Sequence, residues 1–265
     1  MLALIEDRTR EHRVESIRRD FVANVSHELK TPVGAIKLLS DAVIDAADDP
    51  EAVQRFAGRM HTESERLSRL VQQIIELSRL QGDDPLDEPV AVEADKTIAR
   101  AIDESTTDAA ARGIELVHSG THGLVLLGNR EQVAVAVANL VANAVAYSPE
   151  GSSVVVGATG HDAAVDISVT DRGIGIPAKE LDRIFERFYR IDPARHRSTG
   201  GTGLGLSVVK HVAASHGGEV RVWSVEGQGS TFTLTLPRKP GPLPGAATPA
   251  RTTGTTTAGT AKETP

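Results

Sequence analysis

The ten residues VSHELKTPVG, 25–34, gather three reactive side-chain types and add a proline. His27 offers an imidazole, a competent nitrogen nucleophile near neutral pH. Glu28 beside it can accept the other ring N–H, which raises ring basicity and takes up a proton during attack. Thr31, four residues on, falls one helical turn away on the same face and can hold a water near the ring. A lone exposed histidine is compatible with surface decoration. Pro32 argues against decoration, because a proline inside a helix costs about 3 kcal/mol. It also deletes the hydrogen bond to the carbonyl of Glu28 and is expected to bend the helix there. A nucleophile so placed asks for a phosphoryl donor elsewhere in the chain.

Three further segments could build the donor site. NLVANAVAYSP, 139–149, sets Asn139 and Asn143 four apart on one helix face, opposite a stripe of Val133, Val137, Leu140, Val141 and Ala144. Amide oxygens suit Mg²⁺, which also keeps water and phosphate ligands. VTDRGIGIP, 169–177, leaves a strand and presents Asp171, then Gly173 and Gly175. The carboxylate could accept from an adenine amino group, and the glycines let backbone approach a base closely; an ordinary Asp-Gly turn is the plainer alternative. GGTGLGLSVVK, 200–210, is a glycine-rich loop that opens a helix, and helix N-terminal amides bind phosphate. It matches neither the Walker A pattern nor G-x-G-x-x-G, since Leu206 stands where the first needs Lys and the second needs Gly. The basic YRIDPARHRSTGG before it suits a lid, with Phe185, Phe188 and Tyr189 as its anchors or as plain core.

The elements that must position these groups read as follows. Ile17, Phe21, Val25, Leu29, Val33, Ile36, Leu39 and Val43 recur at helical spacing, so a helix is expected from Val14 to about Ala47. Its apolar stripe centres near Val25 and Leu29, which turns His27 outward. A second helix is expected from Glu51 to about Leu80 after the turn DAADDP. Such a hairpin leaves apolar surface uncovered, and pairing with a second copy into a four-helix bundle completes it. QGDDPLDEP, 81–89, marks a linker. Strands are expected near 89–93, 114–119, 124–128, 153–159, 163–170, 219–225 and 230–236, and helices near 95–111, 130–147, 178–188 and 204–216. Paired strands interleaved with helices indicate an α/β layered domain. The domain boundaries are therefore 1–14, a signalling linker with LALI as a short strand end; 15–81, the helical hairpin; 88–237, the α/β domain; and 238–265, a Pro, Gly, Thr and Ala-rich tail expected to be disordered.

Composition narrows the class. The 265 residues carry 29 Lys plus Arg against 36 Asp plus Glu, a net charge of -7, which weighs against nucleic acid as a partner. Aromatics are 3% and cysteine is absent, so Val, Leu, Ile and Ala fill the cores and thiol chemistry is excluded. No apolar run is long enough to cross a bilayer. The residues present are expected to be cytoplasmic, and any membrane attachment would come through segments absent from this chain.

The order SHELKTP, NLVANAVAYS, DRGIGIP, IFERFYR, GGTGLGLSVVK resembles the five characteristic sequence boxes of two-component sensor histidine kinases, over roughly residues 10–237. RDFVANVSHELKTPVGA is most similar to the phosphate-regulon-type members. The resemblance implies a dimerisation and phosphoacceptor hairpin, then a GHKL-type (Bergerat) α/β sandwich that binds ATP with Mg²⁺. It implies His27 as phosphoacceptor, Glu28 as its acid/base partner and Thr31 as the residue that positions water for phosphatase activity. It implies Asn143 as the Mg²⁺ ligand with Asn139 beside it, Asp171 as the adenine-reading acid, and Gly173, Gly175, Gly201, Gly203 and Gly205 as the nucleotide cradle. The implied partners are a second copy of the chain and the receiver domain of a response regulator. Two positions depart from the pattern: Ala146 stands where many members have Lys or Arg, and Asn129 where Asp is frequent. A GHKL ATPase of another kind shares the nucleotide boxes but has no use for SHELKTP. A kinase-inactive dimeric scaffold rests on Ala146 alone.

Overall fold

The computed structural model describes residues 9–82, 89–191 and 201–241. The expected strand end at 2–5, most of the linker and of the lid, and the tail beyond 241 lie outside the described residues.

Two long helices come first, α1 (Thr9–Asp45) and α2 (Pro50–Gly82). The Asp49 carboxylate accepts from the amides of Glu51 and Ala52 and starts α2. They pack as an antiparallel hairpin, with Ala52 and Leu70 buried. Pro32 sits inside α1 and is buried, so the helix runs through the proline rather than ending at it. Several apolar side chains stay exposed: Val22, Val33, Leu38 and Ile44 on α1, and Val71 and Ile75 on α2. Val33 was expected within the covered stripe, and one hairpin has no third element to cover it.

The remainder is a layered α/β unit. Its elements are β1 (Val90–Glu93), α3 (Ala94–Ala111), β2 (Glu115–Gly120), β3 (Val125–Gly128), α4 (Arg130–Tyr147), β4 (Ser153–Gly160), β5 (Ala164–Thr170), α5 (Gly205–Ser215), β6 (Glu219–Val225) and β7 (Gly229–Pro237). Five strands form one sheet in the order β2-β4-β5-β7-β6, antiparallel except for the β2–β4 pair, and β1 pairs antiparallel with β3 in a small second sheet. Alternation assigns the faces. Val165, Ile167 and Val169 of β5 and Phe232, Leu234 and Leu236 of β7 are buried against the helices. Asp166 on the other face of β5 accepts from Thr235 Oγ1 at 2.7 Å and pairs with Arg221 at 3.6 Å.

α4 is the central helix. Asn129 caps it, its Oδ1 accepting from the amides of Glu131 and Gln132. The exchange of Asp for Asn thus keeps a good cap. Val133, Ala136, Val137, Leu140, Val141, Ala144 and Val145 are all buried, so α4 is covered on most sides rather than amphipathic. Arg112 closes its far end, donating to the carbonyls of Val145, Ala146 and Ser148.

Two expectations differ from the structure. Residues 178–188 do not form a helix: a single 3₁₀ turn, Ala178–Glu180, gives way to successive turns. Side-chain anchoring overrides helical propensity there. Ile184 is buried, Phe185 meets Phe232 edge to face at 6.5 Å, Tyr189 donates to Glu180, and Arg183 stacks on the Tyr189 ring. Phe188 takes a positive φ of 62°, and its amide bonds the Gly203 carbonyl at 2.9 Å. The first residues assigned to the tail are also held by the sheet. Arg238 N donates to Ala163 O and Lys239 N to Val125 O, which ties both residues to the sheet.

Candidate functional site

His27 is exposed on α1, Glu28 is half-buried and Thr31 is exposed. The hydroxyl of Thr31 donates back to the His27 carbonyl at 3.3 Å, the habit of mid-helix threonines. Pro32 supplies no N–H to the Glu28 carbonyl one turn above. The outward placement of His27 is as the helical spacing predicts.

The second group of residues converges at one end of the large sheet. Asp171 follows β5 and is 6% exposed. Its Oδ1 accepts from Gly173 N at 2.7 Å and from Ser230 N at 3.2 Å. No described residue donates to Oδ2. Burial raises its pKa, and the two backbone bonds only partly offset that cost.

Glycine is demanded here by close approach. A Cβ on Gly173 would lie 2.6 Å from the Tyr147 carbonyl, and one on Gly205 would lie 2.6 Å from Asn139 Oδ1. The first contact locks the Asp171 turn onto the end of α4; the second lays the start of α5 across its middle. Gly175 and Gly203 have positive φ, and Gly201 has open space, with the Tyr147 hydroxyl as its nearest neighbour at 3.7 Å. Asn139, Asp171, Gly173 and Gly205 are therefore brought together around α4, whereas Gly203 meets the Phe188 backbone and Gly175 that of Val225. Asn139 is half-buried, not exposed, and its Nδ2 donates to the Val135 carbonyl. Asn143, one turn on and half-buried, makes no hydrogen bond to a described residue, which leaves its amide oxygen available. That suits a hard cation carrying its own water.

One cationic group borders the site, and a second is partly buried three residues before it. The Nε and Nη2 atoms of Arg190 are buried without a hydrogen-bond partner, and the Arg190 charge reaches Tyr147. Arg187 has its pKa lowered by burial. Ala146 has no side chain to offer a phosphate, and its carbonyl is occupied by Arg112.

Sequence reading missed four contributors. Ser230 shares the Asp171 carboxylate, Tyr147 abuts two glycines, and Arg112 fixes the end of α4. Thr202, 8% exposed, donates its hydroxyl to Gln73 of α2 and accepts from Leu204 N at 3.3 Å, joining the glycine-rich loop to the hairpin. Leu29 and Ile74 pack against the same core. The Gly-x-Gly of EGQGS was the only available signal for Ser230; the others are contacts over long sequence distance.

Two family models match the chain. Residues 17–83 match the His Kinase A (phospho-acceptor) domain, and residues 128–240 match the histidine kinase-, DNA gyrase B- and HSP90-like ATPase. The sensor-like histidine kinase SenX3 of Mycolicibacterium smegmatis is 49% identical over 90% of this chain and 62% of its own length. The phosphate regulon sensor protein PhoR of Pseudomonas aeruginosa is 38% identical over 88% of this chain and 53% of its own. The chain thus spans about three fifths or less of these relatives. Among solved structures, the mycobacterial sensor histidine kinase MprB aligns at 30% identity and TM-score 0.51, covering 57% of this chain and 99% of that one. Histidine kinase ThkA, solved in complex with response regulator protein TrrA, aligns at TM-score 0.68 over 89% of this chain and 66% of that one, and at 22% identity shows the fold. No helix among the described residues is long and apolar enough to cross a membrane.

Proposed function

As the chain belongs to the two-component sensor histidine kinases, we propose that it phosphorylates His27 from ATP and passes the phosphoryl group to an aspartate of a response regulator. The observation that carries this reading is the Asp171 carboxylate, buried and held by two amides through Oδ1, in a turn whose Gly173 is pressed against the end of α4. A second, separate unit presents an exposed imidazole.

In this reading Asp171 Oδ2 accepts from the adenine amino group, which distinguishes adenine from bases lacking that donor. The first amides of α5 face the phosphates. Arg190, with unpaired buried N–H groups, and Arg187 supply the positive charge that Ala146 does not. A Mg²⁺ bound with the nucleotide would neutralise developing charge on the phosphates, and the free amide oxygen of Asn143 fits it, with Asn139 beside it. A ring nitrogen of His27 attacks the γ-phosphorus, the bond from phosphorus to the bridging oxygen breaks, and ADP leaves. Glu28 takes the proton from the other ring nitrogen. Rate comes mainly from positioning and charge stabilisation.

A second copy of the chain supports the hairpin. Val22, Val33 and Ile44 are each eleven residues apart, three helical turns, so they line one exposed face of α1. Val71 and Ile75 extend the apolar surface on α2. Burying such a face in a homodimeric four-helix bundle removes it from water. These residues serve as the cytoplasmic part of a longer sensor, consistent with their fraction of the relatives' length.

Incubation with γ-labelled ATP tests the assignment. Acid-labile, base-stable label that vanishes in His27→Gln, with nucleotide affinity retained, is the expected result. Free phosphate without protein label would indicate a different ATPase of this fold, and neither product would indicate a scaffold.

A further inference from the structure

At the other end of α3 from Arg112 lies a cluster that the kinase chemistry does not use. Asp95 sits in the first turn of α3, His118 on β2, and His122 in the turn between β2 and β3. Asp95 Oδ1 is 2.9 Å from His122 Nδ1 and 3.5 Å from His118 Nε2. One donor atom from each of the three residues lies within 4.8 Å of the other two. The two rings meet edge to face with centroids 5.1 Å apart.

The plain reading is a turn lock. Asp95 Oδ2 accepts Gly123 N at 2.7 Å, and His122 braces the other oxygen. That reading accounts for Asp95 and His122 but leaves His118 unexplained. His118 Nε2 is shielded from solvent and makes no hydrogen bond. A buried ring nitrogen aimed at a carboxylate already engaged by another imidazole is a mark of a missing ligand.

We propose that Asp95, His118 and His122 bind a divalent transition-metal ion of the zinc class. Zinc bonds of about 2.0–2.1 Å in tetrahedral geometry place ligand atoms roughly 3.3–3.5 Å apart. Of the two measured separations, 2.9 Å lies just below that range and 3.5 Å at its upper end, so small rotations of the rings suffice. Two imidazoles and one carboxylate favour zinc-like ions over Mg²⁺. The hydrogen bond from Gly123 fixes the carboxylate from behind, as partners of metal ligands commonly do. The side chain of His122 is 68% exposed, which leaves an open side for a water as fourth ligand.

The ion would staple the β2–β3 turn to the start of α3. It does not sit in the nucleotide site. Arg112, just past the other end of α3, contacts the end of α4 that flanks Asp171, and the 18-residue helix puts about 25 Å between the two ends. Metal binding should therefore raise thermal stability and leave ATP affinity unchanged.

The test uses the full chain, freed of metal with a chelator, titrated with Zn²⁺ by calorimetry and with Co²⁺ by visible absorption. One equivalent should bind, Co²⁺ should show the intense bands of a four-coordinate site, and the melting temperature should rise. His118→Asn and His122→Asn should each weaken Zn²⁺ binding roughly a hundredfold or more, while His161→Asn, at the separate His161–Asp166 pair, should not. Circular dichroism and ATP titration of each variant report folding. Absence of a stoichiometric site, or Zn²⁺ affinity unchanged in both variants, overturns the proposal. So does loss of Zn²⁺ binding in Asn143→Ala, which would put the ion at the nucleotide site.

Discussion

Asp171→Asn separates what this carboxylate does for the ligand from what it costs the fold. In the wild type Oδ1 is committed to Gly173 N and Ser230 N, and Oδ2 is the oxygen proposed to meet the ligand. An asparagine must keep its oxygen on those two amides, so its NH₂ replaces Oδ2. A donor then faces the adenine amino group, itself a donor. The loss is a hydrogen bond to a charged group, about 1.5–3 kcal/mol, plus an unpaired buried donor at about 1–3 kcal/mol. A combined loss near 3–4 kcal/mol corresponds to roughly 100- to 1000-fold in ATP affinity. The effect on the unliganded fold has the opposite sign. Burial raises the folded pKa of Asp171 above 3.8, so ionising it opposes folding. That penalty is fully present above the folded pKa and fades as the pH falls through it toward the unfolded value. Removing the charge should leave the melting temperature at pH 7.5 equal to or above that of the wild type. Inosine triphosphate sharpens the assay, because its base carries an acceptor where adenine carries the amino group. The wild type should prefer ATP strongly, and Asp171→Asn should lose or reverse the preference. The measurement is fluorescence or calorimetric titration with both nucleotides, beside thermal unfolding. Equal losses for ATP and inosine triphosphate would refute base reading by Asp171 and leave it as a loop anchor; a collapse in melting temperature would refute the stability argument.

Three other outcomes are expected. Thr31→Ala should keep autophosphorylation near normal and slow dephosphorylation of the regulator roughly ten- to hundredfold; equal effects on both rates would reduce Thr31 to its hydrogen bond with the His27 carbonyl. Arg112→Ala should lower stability by about 2–4 kcal/mol, since three carbonyls at the end of α4 lose a charged donor, read by chemical denaturation. His216 is buried, with Nε2 accepting from Asn129 N and Nδ1 facing the Val212 carbonyl, and burial holds its pKa below 6.5. Its stabilising contribution is complete above pH 6.5 and declines as the pH falls below that value toward the depressed folded pKa. NMR titration should find the ring's midpoint below pH 6.5, and His216→Gln should flatten the stability profile between pH 7 and 5.

Periodicity made the two long helices, α3 to α5 and every strand readable to within a few residues, because apolar spacing and Gly or Pro punctuation are local signals. The segment 178–188 departs from its helical pattern for the complementary reason. Its bonds go to Phe232 and Gly203, and its own pattern of Leu181, Ile184, Phe185 and Phe188 is equally good for a helix. Within the candidate site the glycines and acids were legible as motifs, whereas Arg112 and Ser230 were not. They act on α4 and on Asp171 across 36 and 59 residues of chain, distances over which a single sequence carries no spacing rule. The covering of α4 was hidden by the same limit: alternating Val and Ala state that a helix is apolar, not how many neighbours enclose it.

The hydroxyl of Thr202 on Gln73 makes the nucleotide loop and α2 one mechanical part. α2 is a rod of 33 residues, about 50 Å long, and it grips the loop three residues before the first amide of α5. A nucleotide that draws the loop off Gln73 surrenders that hydrogen bond, about 1 kcal/mol, from its own binding. A twist that turns Gln73 away returns the same quantity as tighter binding, and by reciprocity a seated nucleotide makes the twist easier. If the loop must leave Gln73 to seat a nucleotide, the rod is a handle on the affinity of the domain it holds.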